Sequence, residues 1–249
     1  RFASSPATAR IMYYHRFIGG YHPAKLRIYQ DLIETQLSKD SLNMAVLNML
    51  DTRYLLLPNQ QGSEIANMQR NEGALGAAWF VRTLQPVSGP AAEIKALDNF
   101  DPKAVAFYDQ KAQTITAPAG FDTTGTIQLT KYDNDTITYT TNTRSAQFAV
   151  FSEIYYPAGW NAYLDGTKTP YYKVNYLLRG MPVPAGQHTI TFRFEPAAYT
   201  TSYAVAKWSG ILLYLFLAAA LFMWWRNRTK QPNDSNPSQP AKGAKPGLV

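Results

Sequence analysis

Between Lys207 and Arg226 the chain runs WSGILLYLFLAAALFMWW, 18 residues without a charge. At ~1.5 Å per residue this makes about 27 Å of helix, close to the ~30 Å hydrocarbon core of a bilayer. Trp208 opens the run and Trp224 and Trp225 close it, at the depth where indole rings favour the headgroups. Arg226, Arg228 and Lys230 follow at once. A core helix of a soluble protein rarely combines aromatic ends, a basic stop and a polar tail. Residues 204–225 therefore read as a transmembrane α-helix. The positive-inside rule then assigns the basic tail 226–249 to the cytoplasm and residues 1–207 to the opposite, extracytoplasmic side.

Charge must be read against that topology. The formal net charge is +7, but the tail after Trp225 holds five basic residues and one acid. The remaining +3 over the outer part is no electrostatic footprint for nucleic acid, and no nucleic-acid partner is expected. The chain has no cysteine, which excludes thiolate metal sites, disulfides and cysteine nucleophiles. It starts at Arg1 with no charged-then-apolar leader, yet an outward body with an inward C-terminal anchor needs something upstream to translocate it. The expectation is a C-terminal piece of a longer membrane protein. Its partners would be the lipid bilayer and an N-terminal bundle of spans.

Along the chain, residues 1–22 read as irregular and aromatic. Leu26, Tyr29, Ile33 and Leu37 recur at helical spacing and predict a helix from Pro23 to about Ser38. Ser41 is placed to cap a second helix running to Leu50. Arg53–Leu57 reads as a short strand, 59–72 as a polar loop, and Trp79–Val87 as a strand. Ala91–Leu97 reads as a helix and Ala104–Tyr108 as a strand. Residues 1–110 thus form a small α+β unit.

From there the pattern is β throughout. Ile127, Leu129, Ile137, Tyr139, Phe148, Val150, Tyr163, Val174, Ile190 and Phe192 sit in short alternating runs. Asp133-Asn134, Pro157-Ala-Gly159, Asp165-Gly166 and Pro184-Ala-Gly186 are the turn signals between them. Some seven strands predict an all-β antiparallel sandwich over 111–196, jelly-roll-like, standing close to the bilayer surface. The tail 226–249 is Pro/Ser/Asn/Lys-rich and is expected to be disordered.

Chemistry is sparse. Asp133-Asn134-Asp135 has the form of a divalent-cation pair, but a calcium loop would continue with a further oxygen ligand, a Gly and a distal Glu, and here Thr136-Ile137 follows. A hairpin turn is the expectation, with no metal and no cofactor. No nucleophile-elbow, zinc-helix, P-loop or dinucleotide glycine pattern occurs, so no catalytic residue is assigned. The segment YYHRFIGGYHPAK gathers Tyr14, His15, Tyr21, His22 and Lys25, with Tyr29 on the helix that follows. Two readings stand for it: aromatic packing against that helix, with His22 at its start, or contact with a sugar or a lipid phosphate. His188, alternating with Ile190 and Phe192, is expected to point out of a strand. Trp160, just after the Pro-Ala-Gly turn, likewise serves either the sandwich core or sugar stacking.

The blocks YYHRFIGGYHPAKLRIYQDLIE, VLNMLDTRYLLLP, ALGAAWFV and SEIYYPAGWNAYLDGTKTPYYKVNYLLRGMPVPAGQHTITFRFEP together resemble the C-terminal region of the YfhO family of bacterial multi-span membrane proteins. The resemblance runs over roughly residues 10–225, and the tyrosine-rich wording is similar to versions from Bacteroidetes. It implies a GT-C-like glycosyltransferase in the inner (cytoplasmic) membrane, using polyprenyl-phosphate-linked sugar to decorate envelope glycan. In such enzymes the catalytic acid lies in an early outer loop outside this stretch, so this region would be non-catalytic by itself. Two rival readings remain: a membrane-anchored carbohydrate- or protein-binding sandwich, or the outer domain of a transporter.

Overall fold

The computed structural model describes residues 2–4, 17–19, 25–39, 41–57 and 67–228. Tyr14, His15, Tyr21, His22 and the tail from Thr229 lie outside these residues. The chain divides into two units, one up to Pro196 and the other from Ala197.

The first unit opens with β1 (Phe2–Ser4), which pairs in parallel with β2 (Tyr54–Leu57). Helix α1 (Arg27–Leu32) runs into a π-type turn over Ile33–Leu37, where Ser38 N donates to Ile33 O at 2.9 Å. Helix α2 (Met44–Met49) is capped by Asn43, whose side chain accepts from Val46 N at 3.2 Å. Then come β3 (Asn67–Arg70), β4 (Ala78–Val81), β5 (Thr83–Val87), α3 (Pro90–Ala96) and β6 (Val105–Asp109). The all-β part comprises β7 (Thr126–Tyr132), β8 (Thr136–Thr143), β9 (Gln147–Ile154), β10 (Trp160–Leu164), β11 (Thr167–Thr169), β12 (Tyr172–Val174), β13 (Leu178–Val183) and β14 (Gly186–Phe194).

Two antiparallel sheets make the sandwich: five strands in the order β11-β10-β14-β8-β7 and four in the order β12-β13-β9-β4. Side chains alternate along each strand, so one face of the five-stranded sheet turns inward. That face carries Ile137, Tyr139, Ala162, Ile190 and Phe192, and it meets Phe80, Ala149, Phe151, Met181 and Val183 of the other sheet. Edge-on rings lock the layer, with Tyr139 and Phe151 centroids 4.8 Å apart and Phe151 and Phe192 5.0 Å apart. The far face of the four-stranded sheet is covered as well. Trp79, Val81, Phe148, Val150 and Val174 share a second core with Leu32, Val46, Leu47, Met49, Leu97 and Phe107 from the helices and β6. Three layers result, and β9 is their central strand.

Turn chemistry follows the sequence. Leu164 pairs with Thr167 across Asp165 (φ 50°) and Gly166 (φ 82°), both left-handed, as a two-residue hairpin with right-handed strand twist requires. Asp133-Asn134-Asp135 is a hairpin turn closed by Asp133 N donating to Thr136 O at 2.8 Å. The loop expected over 59–72 is corrected in its described part: Asn67–Arg70 forms β3, antiparallel to β2. The strand expected over Trp79–Val87 is two. Arg82 N and Thr83 N both donate to Ala104 O at 3.0 Å, breaking the run, and β5 goes on to pair in parallel with β6. Asn43, not Ser41, caps α2, and α1 begins at Arg27 rather than Pro23.

The described part of the second unit is helix α4 (Ala197–Arg228), 32 residues that contain the uncharged run and end on Arg226 and Arg228. It is the one helix among the described residues long and apolar enough to cross a membrane.

Candidate functional site

Lys25 and Tyr29 are occupied by local bonds. Lys25 Nζ donates to Gln30 Oε1 at 3.2 Å, and Tyr29 OH donates to Ile18 O. One turn further on, Asp31 accepts from Arg27 Nε at 2.7 Å and from Tyr176 OH at 2.9 Å. Tyr176 N in turn donates to the buried Glu93 at 2.9 Å, whose other oxygen takes Lys173 Nζ at 2.6 Å. Burial raises the Glu93 carboxyl above its ordinary range, while the Lys173 ammonium opposes that shift. Burial, and then the bond to Asp31, push the Tyr176 phenol up to about 12. Asn175 (φ 48°) and Tyr176 (φ 72°) are consecutive left-handed residues without being glycine. Asn tolerates this conformation, whereas Tyr holds it only when its surroundings impose it. Here Asn175 is clamped to Phe107, donating from its backbone N at 2.8 Å and accepting at Oδ1 from Phe107 N at 2.9 Å. The network bolts α1 and α3 to the sandwich, and within it the buried Asn175 Nδ2 has no hydrogen-bond partner.

Trp160 lies in a different setting. It is the first residue of β10, and its half-buried side chain belongs to the inward row with Ala162 and Leu164. Its indole packs at a tilt of 57° against Phe194, the residue opposite it on β14, with centroids 5.3 Å apart. The Tyr171 hydroxyl donates to Trp160 O at 3.0 Å and so pins the backbone. Arg179 lies against the ring, with Cζ 4.5 Å from the indole centroid and 4.9 Å from that of Phe192. A cation stacked on an aromatic face is held by the ring quadrupole, most strongly on Trp.

Arg179 reaches this position because the β13–β9 ladder slips between Leu178 and Arg179. The slip leaves Ile154 O for the Arg179 Nε, at 3.0 Å. The residue is 2% exposed, and its Nη1 has no hydrogen-bond partner. Burial lowers its pKa, opposed mainly by the charge of Glu153. Beyond Phe192 the half-buried Tyr171 ring lies 5.5 Å from it and 5.1 Å from that of Tyr155, and Phe194, which packs against Trp160, is exposed. On the outer side of β10, Glu195 is engaged elsewhere, accepting from Tyr163 OH at 2.7 Å and Asn161 Nδ2 at 2.9 Å.

Sequence reasoning picked out Trp160 and missed Arg179, whose signal was a lone charge inside the apolar run YLLRGMPV. His188, expected to point outward, bonds through Nδ1 to Asp165 Oδ2 at 2.6 Å. Among the described residues, no three His, Asp or Glu side chains gather into a metal site.

The chain thus combines a β-rich folded unit with one helix long and apolar enough to cross a membrane. A family model described as "Bacterial membrane protein YfhO" matches residues 95–206, so the resemblance read from the sequence holds over that stretch. Trp160, Arg179, Tyr171 and Phe194 all fall within it. No curated protein matches the chain, and no solved structure does.

Proposed function

We propose that this chain is the extracytoplasmic, non-catalytic region of an inner-membrane glycosyltransferase-like protein that moves sugar from a lipid carrier onto envelope glycan, and that the Trp160 end of the sandwich contacts saccharide. The carrying observation is the indole itself: half-buried, pinned at its backbone by Tyr171, packed at a tilt against Phe194, and inside the stretch matched by a membrane-protein family. An aromatic face held rigidly beside exposed rings offers apolar area to a pyranose at little entropic cost.

The test is calorimetry of the full chain in lipid nanodiscs against neutral oligosaccharides of glucose and of N-acetylglucosamine. Saturable binding that Trp160→Ala removes is the expected result, and no binding by either series overturns the saccharide contact. The tethered-module reading is favoured by the same ring. It separates on transfer: if deleting this region from the whole protein leaves sugar transfer to envelope glycan intact, the region is a binding module and not part of a transferase.

A further inference from the structure

We infer that the Trp160 end of the sandwich selects glycans carrying negative charge, carboxylate or phosphate, through Arg179. The inference rests on the saccharide contact proposed above and names the class of sugar that contact favours.

A guanidinium carries five donors and stays charged, so burying it is costly unless carboxylates and carbonyls meet it. Arg179 is met by one carbonyl, Ile154 O, and by two aromatic faces. Among the described residues no carboxylate comes within ion-pair distance of it. Glu153 acts on it only at longer range, and Glu195 is held by Tyr163 and Asn161. Its buried Nη1 is left without a partner. Buried polar groups are paired in the great majority of cases, so an orphan of this kind calls for an explanation. A structural arginine in a sandwich core would be expected to find an acid. This one is seated by a ladder slip at the end of the core, behind a half-buried Trp that packs against the exposed Phe194.

The arrangement is a positive charge beneath an aromatic rim. An anionic group resting on that rim is drawn across a dry layer, where attraction is screened far less than in water. The indole stays in place beneath the sugar, and the guanidinium behind it acts on the anionic group through space. A neutral sugar gains only the stacking.

The experiment uses the full chain in nanodiscs of zwitterionic lipid and three probes: a neutral hexose oligosaccharide, a uronate oligosaccharide of equal length, and inorganic phosphate. The uronate is expected to bind about tenfold tighter than the neutral sugar. In Arg179→Met the ratio of the two affinities falls to near one, while Arg179→Lys keeps part of it. Replacing a buried unpaired charge by an apolar side chain is often neutral or stabilising, so Arg179→Met should retain its near-ultraviolet circular dichroism. If that variant loses the signal, Arg179→Gln, polar but uncharged, decides: a ratio as high as wild type overturns the inference. It is also overturned if uronate and neutral sugar bind equally, if Arg179→Met keeps the preference, or if phosphate alone binds as tightly as the uronate. In those cases the neutral sugar still binds and the Trp160 contact survives. Failure of both oligosaccharides sinks the saccharide contact itself.

Discussion

Glu93 has no solvent exposure, and it receives the ammonium of Lys173 at 2.6 Å from a strand eighty residues further along the chain. A buried pair of this kind is weak evidence of net stabilisation, because both ions gave up water to form it. Breaking it is another matter. Lys173→Met leaves a carboxylate with its cation gone and is expected to cost about 3–5 kcal/mol, whereas replacing both partners by apolar residues should cost far less. Urea unfolding of the two variants in detergent, followed by near-ultraviolet circular dichroism, measures the difference.

The same carboxyl has a pH signature. Its folded pKa is raised, chiefly by burial, so its contribution to stability is fully present below the ordinary value of 4.5. That contribution declines as pH rises through the elevated folded value, where the buried group must ionise. The unfolding free energy of wild type minus that of Glu93→Gln should therefore fall as pH climbs from 4 towards neutrality. A difference that rises over this range would mean that Lys173, not burial, controls the group.

His188 and Asp165 join the ends of two neighbouring strands, and each moves the other. The bond to Asp165 raises the His188 pKa, and bonds from Thr189 N and His188 lower that of Asp165. The pair's support is thus complete only between the ordinary values of 3.8 and 6.5. It is lost below that window as Asp165 protonates, and above it as His188 deprotonates. Half of Asp165's side chain is exposed, so less than about 1 kcal/mol is at stake. Asp165→Asn keeps a side chain tolerant of the left-handed turn and removes the charge. The His188 titration followed by NMR should then move down towards 6.5.

Which parts of this architecture were legible in the sequence follows from which faces are wet. Strands β8 and β14 turn Thr140 and Thr189 outward and Tyr139 and Ile190 inward, so their period of two is plain. Strand β3 reads as loop because NMQR is polar and exposed throughout, and only its pairing with β2 makes it a strand. The break at Arg82 has no local signal, being set by Ala104 O some twenty residues away. Asp165-Gly166 announces a left-handed turn, while Asn175-Tyr176 does not, since its conformation is imposed by Phe107. At the site, Trp160 is conspicuous by residue type. Its relation to Arg179 depends on a register slip and on two sheets meeting, which no short stretch of sequence encodes.

Helix α4 supplies the remaining prediction. Phe216 stands in the middle of the uncharged run Trp208–Trp225, about 12 Å from either end at helical rise. A charge there faces hydrocarbon with the headgroups far off on both sides, and arginine at such a position costs roughly 2.5–3.5 kcal/mol of insertion. At Tyr199, near the start of the helix, the same substitution lies outside the apolar run and should cost little. Membranes carrying each variant can be washed at alkaline pH, which strips peripheral protein and leaves inserted helices behind. Phe216→Arg should shift a substantial fraction of the chain into the wash while Tyr199→Arg stays with the pellet. Equal retention of both would mean that the apolar run does not hold this chain in the bilayer.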